Sequence, residues 1–267
     1  MLKRTVTALT LFAIGLPLLL WGGTPFISFM TLFYVTAGVE YVQMFHAVDT
    51  DTNVWLVAGS ILALVWVKTL FPTYAPALLT LSVLILMIYH TWRYEQGRDQ
   101  SARDFGVAVA GVVYLGWVAP YLIQLRLVPL GGWWLFLVLM SVWIADTGAY
   151  MIGSAYGKHK LSKRISPKKS WEGYFAGVVS AAAMGGFLAY SFSRWGPMNL
   201  EIWRGAVIGL VIGILAPAGD LGVSMIKRYS GFKDSGTAIP GHGGAFDRID
   251  SWIMAGVIGM AFWWLWG

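Results

Sequence analysis

Apolar runs recur along the whole chain with only short polar stretches between them. They fall at about 5–22, 25–45, 53–71, 76–92, 104–125, 132–154, 171–192, 203–228 and 246–266. Each approaches the roughly 20 residues that a helix needs to cross a bilayer core. None alternates apolar and polar positions as barrel strands do, and within lipid each span must satisfy its own backbone hydrogen bonds. The pattern predicts an all-α polytopic membrane protein with about nine transmembrane helices. Lys3-Arg4 ahead of an apolar run has the outline of a signal peptide, but no A-x-A pattern follows and the next span begins at once. It is read as an uncleaved first span.

Composition supports lipid as the solvent. Of 267 residues 57% are hydrophobic and 12% charged, against about 25% charged in a soluble domain. No room is left for a separate soluble domain. The expectation is one integral membrane domain, with spans 1–5 in residues 1–130 and a catalytic set, spans 6–9 with their loops, in 131–267. Nine spans place the termini on opposite sides. All of the 19 Lys and Arg residues except Lys68, Arg126, Arg194 and Arg204 then fall on the side of the N-terminus. The positive-inside rule puts the N-terminus in the cytoplasm and the C-terminus outside, in the cell inner membrane. The net charge of +6 is thereby concentrated on one face, where it suits an anionic leaflet and anionic substrates. No nucleic-acid motif accompanies it. The absence of cysteine excludes disulfides, thiolate metal sites and cysteine nucleophiles.

Acidic residues inside spans are expensive and mark function by default. Asp146 lies roughly 12 Å, and Asp220 roughly 10 Å, from the basic ends of their spans at 1.5 Å per residue. Glu172 opens the seventh span, and Asp247 and Asp250 open the ninth. Four helices are thus expected to bring carboxylates to a similar depth on one side. Asp220 follows Pro217 and Gly219, a combination expected to break the helix and free carbonyls for an ion or a polar cavity; a plain kink is the alternative. Ser224 and Lys227 follow Asp220 at i+4 and i+7, on one face. Asp247 and Asp250 share a face at i, i+3, with Arg248 between them. Two such carboxylates suit Mg²⁺, which takes oxygen ligands, although a carboxylate at a helix N-terminus also complements the macrodipole.

Two loops add candidate chemistry. The stretch from Gly157 to Ser170 carries Lys168 and Lys169 after Pro167, and reads either as a topology signal or as a clamp for phosphates; Ser170 is placed to cap the seventh helix. Lys233 to Gly244 is glycine-rich, so its amides, those of Gly243 and Gly244 among them, can approach phosphate oxygens, and His242 can donate to a phosphate or relay a proton. It lacks the spacing of a dinucleotide fingerprint. Gly205, Gly209 and Gly213 form overlapping GxxxG patterns that serve either an internal helix contact or a dimer.

The run from Ser224 through Lys227-Arg228, Lys233-Asp234, Pro240, His242-Gly243-Gly244 and Asp247-Arg248 to Asp250 closely resembles the signature of phosphatidate cytidylyltransferases, also called CDP-diacylglycerol synthases. Asp146 to Tyr150 and Ile165 to Gly173 are similar to that family too. The resemblance implies CTP and phosphatidic acid as substrates among membrane lipids, a required Mg²⁺ with K⁺ as a candidate second cation, and a homodimer. It implies a metal centre built by Asp220 and Asp247. Lys227, Arg228 and Lys233 are then expected to neutralise the phosphates, with His242 contacting phosphate. Asp146, Glu172 and Asp250 are expected to orient these cations or bind a second ion. Lys168, Lys169, Ser224, Gly243, Gly244 and Arg248 are expected to bind substrate. The rivals are a related lipid enzyme, either a cytidylyltransferase for another lipid phosphate or a CTP-dependent polyprenol kinase, and a secondary transporter. Against the transporter, the acids lie near one end of the spans and no inverted repeat is visible.

Overall fold

The computed structural model describes residues 13–239 and 243–267. Residues 13–21 are helical; the rest of the expected first span, and His242, lie outside the described residues. The remaining helices are α1 (Gly23–His46), α2 (Val54–Leu70), α3 (Ala75–Glu95, entered through the 3₁₀ turn Pro72–Tyr74), α4 (Ser101–Gly111), α5 (Tyr121–Leu127), α6 (Gly131–Tyr156), α7 (Trp171–Trp195), α8 (Ile202–Tyr229) and α9 (Phe246–Trp266). A π-helical segment, Val112–Val118, joins α4 to α5. Among the described residues seven helical stretches are long and apolar enough to cross a membrane, and α2 is a shorter apolar helix. The protein is an all-α polytopic membrane protein at that level.

Two departures from the pattern are physical. The basic stretch after α6, expected to be an irregular loop, pairs as an antiparallel hairpin of β1 (Lys160–Ser162) and β2 (Ser166–Ser170). Its residues lack the apolar alternation that identifies a strand, so the pairing left no mark in the hydrophobic pattern. Pro217 does not break α8, which continues through it to Tyr229. Proline removes one donor, but the surrounding helix tolerates that loss where other groups take up the freed backbone acceptors.

The chain forms two compact units, 1–123 with 226–249, and 124–225 with 250–267. In the first, α1 packs on α2 and both meet the π-helical segment. Side chains meet backbone carbonyls at the end of that segment and just beyond it. Tyr34 donates to the Ala119 carbonyl at 3.0 Å, and the Lys68 ammonium donates to the Trp117 carbonyl while lying 3.4 Å from the centroid of the Tyr121 ring. Asn53 caps α2 by accepting from the amides of Trp55 and Leu56. The turn after α1 is held by ion pairs of Arg93 with Asp51 and of Arg98 with Asp49 and Asp104. Donating to the Asp104 and Asp49 carboxylates raises the Arg98 pKa above its usual value.

In the second unit α6, α7 and α8 pack through small residues, which let backbones approach closely without a hydrophobic driving force. The glycine stripe of α8 is spent on α7. A side chain at Gly213 would stand 2.8 Å from the Val178 Cα, and one at Gly209 would stand 2.7 Å from the Ala181 carbonyl carbon. The GxxxG face is therefore an internal contact.

Candidate active site

In the second unit a cavity of about 580 Å³ opens between the hairpin and helices α6, α7 and α8. Asp146 and Tyr150 of α6 line it, with Lys160, Lys168 and Lys169 of the hairpin, Tyr174 of α7, and Gly213 and Pro217 of α8. Pro217 removes the donor that the Gly213 carbonyl would otherwise take, and the next carbonyl, that of Ile214, accepts from the Tyr174 hydroxyl at 3.0 Å. Lys169 forms an ion pair with Asp220, and Ser224 donates to the other Asp220 oxygen at 3.3 Å.

The hairpin is fixed at its base. Ser170 caps α7, accepting from the Gly173 amide at 3.2 Å. The Trp171 amide donates to the His159 carbonyl at 2.9 Å. Glu172 accepts from the His159 amide at 3.1 Å and lies 2.6 Å from its ring Nδ1. Glu172 thus acts on the hairpin that carries Lys168 and Lys169. Asp250, buried in α9, accepts from the Ser251 amide at 2.6 Å. Gly219, the residue before Asp220, meets this turn of α9 closely. A Cβ there would lie 3.1 Å from the Asp250 carbonyl carbon.

The first unit holds the rest. Asp247 is buried, its side chain 6% exposed, and pairs with Lys227 at 2.5 Å through Oδ1. Its Oδ2 accepts from the amides of Ser235 at 2.8 Å and Gly244 at 3.2 Å, and from the Ser235 hydroxyl at 3.1 Å. Gly243 holds a left-handed conformation, φ +82°, that favours glycine, and its carbonyl accepts from the Ile239 amide. Arg228, Lys233 and Arg248 are exposed. The site residues named from the sequence therefore fall into two sets. Asp146, Lys168, Lys169, Glu172, Asp220, Ser224 and Asp250 lie in one unit, and Lys227, Arg228, Lys233, Gly243, Gly244, Asp247 and Arg248 in the other.

Among the described residues no three His, Cys, Asp or Glu side chains gather as a metal cluster. The donor chemistry nevertheless fits a hard cation. Asp220 and Asp247 offer only oxygen, the ligand class of Mg²⁺. Each already holds a lysine ammonium, so each stands where positive charge is stabilised.

Comparison with known proteins decides the family. The sequence model of the cytidylyltransferase family matches residues 2–266. The chain belongs to the cytidylyltransferase family. Phosphatidate cytidylyltransferase of Staphylococcus haemolyticus is 32% identical over 94% of this chain and 94% of its own length. The protein of the same name from Synechocystis is 31% identical over 94% of this chain and 92% of its own.

One residue of this family member escaped the sequence reading. Glu40, in α1, is buried and accepts from the Ser235 hydroxyl at 2.8 Å and from the amides of Ala245 at 2.9 Å and Phe246 at 3.0 Å. The available signal was a lone acid near the end of an otherwise apolar span. Tyr41 supports the same contact, its ring centroid 6.3 Å from that of Phe246.

Proposed function

We infer that this protein transfers the CMP moiety of CTP to phosphatidate, giving CDP-diacylglycerol and pyrophosphate. Support comes from two curated relatives named phosphatidate cytidylyltransferase that align over nearly the whole chain. The observation that carries the reading to residues is the Lys169–Asp220 pair at the lysine-lined cavity.

A phosphate oxygen of phosphatidate attacks the α-phosphorus of CTP. The new P–O bond forms as the bond to the β-phosphate oxygen breaks, and pyrophosphate leaves. The attacking oxygen is already anionic, so no strong base is needed, and catalysis is positioning and charge neutralisation. Lys168 and Lys169 meet phosphates at the cavity, and Lys227, Arg228 and Lys233 neutralise the triphosphate. His242 contacts phosphate. Ser224, Gly243, Gly244 and Arg248 bind substrate, while Asp146, Glu172 and Asp250 orient the cationic groups. Asp220 and Asp247 are each assigned as ligands of a Mg²⁺ ion, which would offset charge on the phosphates, with K⁺ as a second cation. The enzyme is proposed to act as a homodimer in the inner membrane, with nine spans, a cytoplasmic N-terminus and the site facing the cytoplasm; the one-sided distribution of Lys and Arg supports this orientation.

Purified protein supplied with phosphatidate, Mg²⁺ and CTP labelled at the α-phosphate should yield labelled lipid. The label should fail to appear in EDTA and return with added Mg²⁺. Transfer of a γ-phosphate label to lipid instead would assign a kinase, and turnover unchanged by EDTA would remove the metal.

A further inference from the structure

We propose that Glu40 is a positioning residue for the reaction: its buried carboxylate sets the loop that presents Asp247. The inference rests on the reading of Asp247 as a metal ligand. Glu40 lies in α1, some two hundred residues earlier in sequence than the groups it binds, yet its two oxygens take three donors from the stretch that opens α9. Oε1 accepts from the Ala245 amide, and Oε2 from the Phe246 amide and the Ser235 hydroxyl. The Phe246 amide opens α9 and the Ala245 amide immediately precedes it, where helix donors otherwise go unmatched and a negative charge is favoured by the helix dipole. Glu40 thus caps α9 from another helix.

The connection to Asp247 is direct. The Ser235 hydroxyl lies 2.8 Å from Glu40 Oε2 and 3.1 Å from Asp247 Oδ2, and the Ser235 amide donates to the same Asp247 oxygen. Ser235 therefore bridges the two carboxylates, and with one hydroxyl proton it donates to one of them at a time. The loop is shaped around Glu40. A Cβ at Gly236 would stand 2.6 Å from Glu40 Oε1, and a Cβ at Gly244 would stand 2.6 Å from its carboxyl carbon. Part of the glycine content of the segment therefore serves a carboxylate of the protein. A rotation of Glu40 would release the Ser235 hydroxyl and the amides of Ala245 and Phe246 together, and so loosen the stretch whose Ser235 and Gly244 amides hold Asp247 Oδ2.

The positioning role predicts a metal phenotype. In Glu40→Gln one oxygen remains and the amide group faces donors. Loss of about one charge-assisted hydrogen bond corresponds to roughly a ten- to hundred-fold effect. The Mg²⁺ concentration giving half-maximal turnover should rise by roughly ten-fold or more, with KM for phosphatidate little changed. Without substrate turnover, the Mg²⁺-dependent increase in melting temperature of the detergent-solubilised protein should shrink. Glu40→Asp, which keeps the charge, should restore part of both. Asp247→Asn is the reference. If it retains turnover and its Mg²⁺-dependent melting shift, the metal reading of Asp247 fails. If it loses both while Glu40→Gln matches the wild type in Mg²⁺ response, the proposal on Glu40 is overturned and the metal reading stands. If Glu40→Gln does not give folded protein, Glu40→Asp decides by the same two measurements. Misfolding of both assigns Glu40 to folding alone and overturns the proposal.

Discussion

Lys227 and Asp247 form a buried pair whose removal separates folding from catalysis. Their side chains are 11% and 6% exposed, and Nζ lies 2.5 Å from Oδ1. Asp247→Asn leaves Lys227 as a buried charge without its counter-ion, and breaking a buried pair in this way costs about 3–5 kcal/mol. Lys227→Met leaves the Asp247 charge, but the Ser235 and Gly244 amides still donate to it, with the Ser235 hydroxyl shared between it and Glu40. Its cost should therefore sit at the low end, about 3 kcal/mol. In the double variant both charges are gone, and neutral replacement of a buried pair is often harmless. It should be more stable than either single variant, with a coupling of about 2–3 kcal/mol, the upper range for residues in contact. The assay is denaturant unfolding in mild detergent followed by tryptophan fluorescence, run beside labelled-CTP turnover. All three variants should lack turnover if the charges meet substrate or cation as proposed. Single variants that lose less than about 1 kcal/mol, or a double variant no more stable than the weaker single, would refute the burial argument. A double variant that regained turnover with its stability would refute the catalytic one.

The remaining expectations concern the second unit. Lys169→Met breaks a pair whose members are each 31% exposed, so screening should hold the stability loss to about 1 kcal/mol or less, while turnover falls at least roughly ten-fold from loss of a charge-assisted phosphate contact; a matched melt and rate measurement checks both. Gly219→Ala forces a methyl against the Asp250 backbone, an overpacking worth about 1–3 kcal/mol, and should lower turnover although no charge changes. Gly209→Val should prevent the close approach of α8 to α7 and reduce the yield of folded protein extracted from membranes. Glu172→Gln weakens the clamp on His159; it should raise KM for CTP more than it lowers kcat, because it loosens the hairpin that carries Lys168 and Lys169.

The helices were legible because lipid enforces them. Every span must be apolar and close its own hydrogen bonds, so length and hydropathy carry most of the fold. The Ser170 cap was legible for a similar reason: a hydroxyl before a helical run has one favoured use. The hairpin was not, since its residues are polar and basic and its pairing depends on backbone bonds and on the His159–Glu172 clamp. The fate of Pro217 was misread because sequence shows the missing donor but not Tyr174, whose hydroxyl serves the neighbouring carbonyl. The GxxxG stripe could not be assigned, as the pattern states that a backbone comes close without stating whose. Glu40 was missed because its partners lie so far along the chain.

The acids differ in what neutralises them, and the difference sorts their roles. Glu40 is held by two backbone amides and a hydroxyl. Backbone donors in a packed turn cannot leave without unfolding it, so a carboxylate held this way is a fixed support. Asp247 is anchored in the same way through Oδ2, by the Ser235 and Gly244 amides, but its Oδ1, like an oxygen of Asp220, holds a lysine ammonium on a flexible stem. Such a charge can move aside for another cation or turn towards a phosphate with little change in the backbone. An enzyme that must bring two polyanions together needs both kinds of acid. In the proposed reaction one kind keeps the loop in place, and the other carries positive charge that can be handed to the substrates as they arrive.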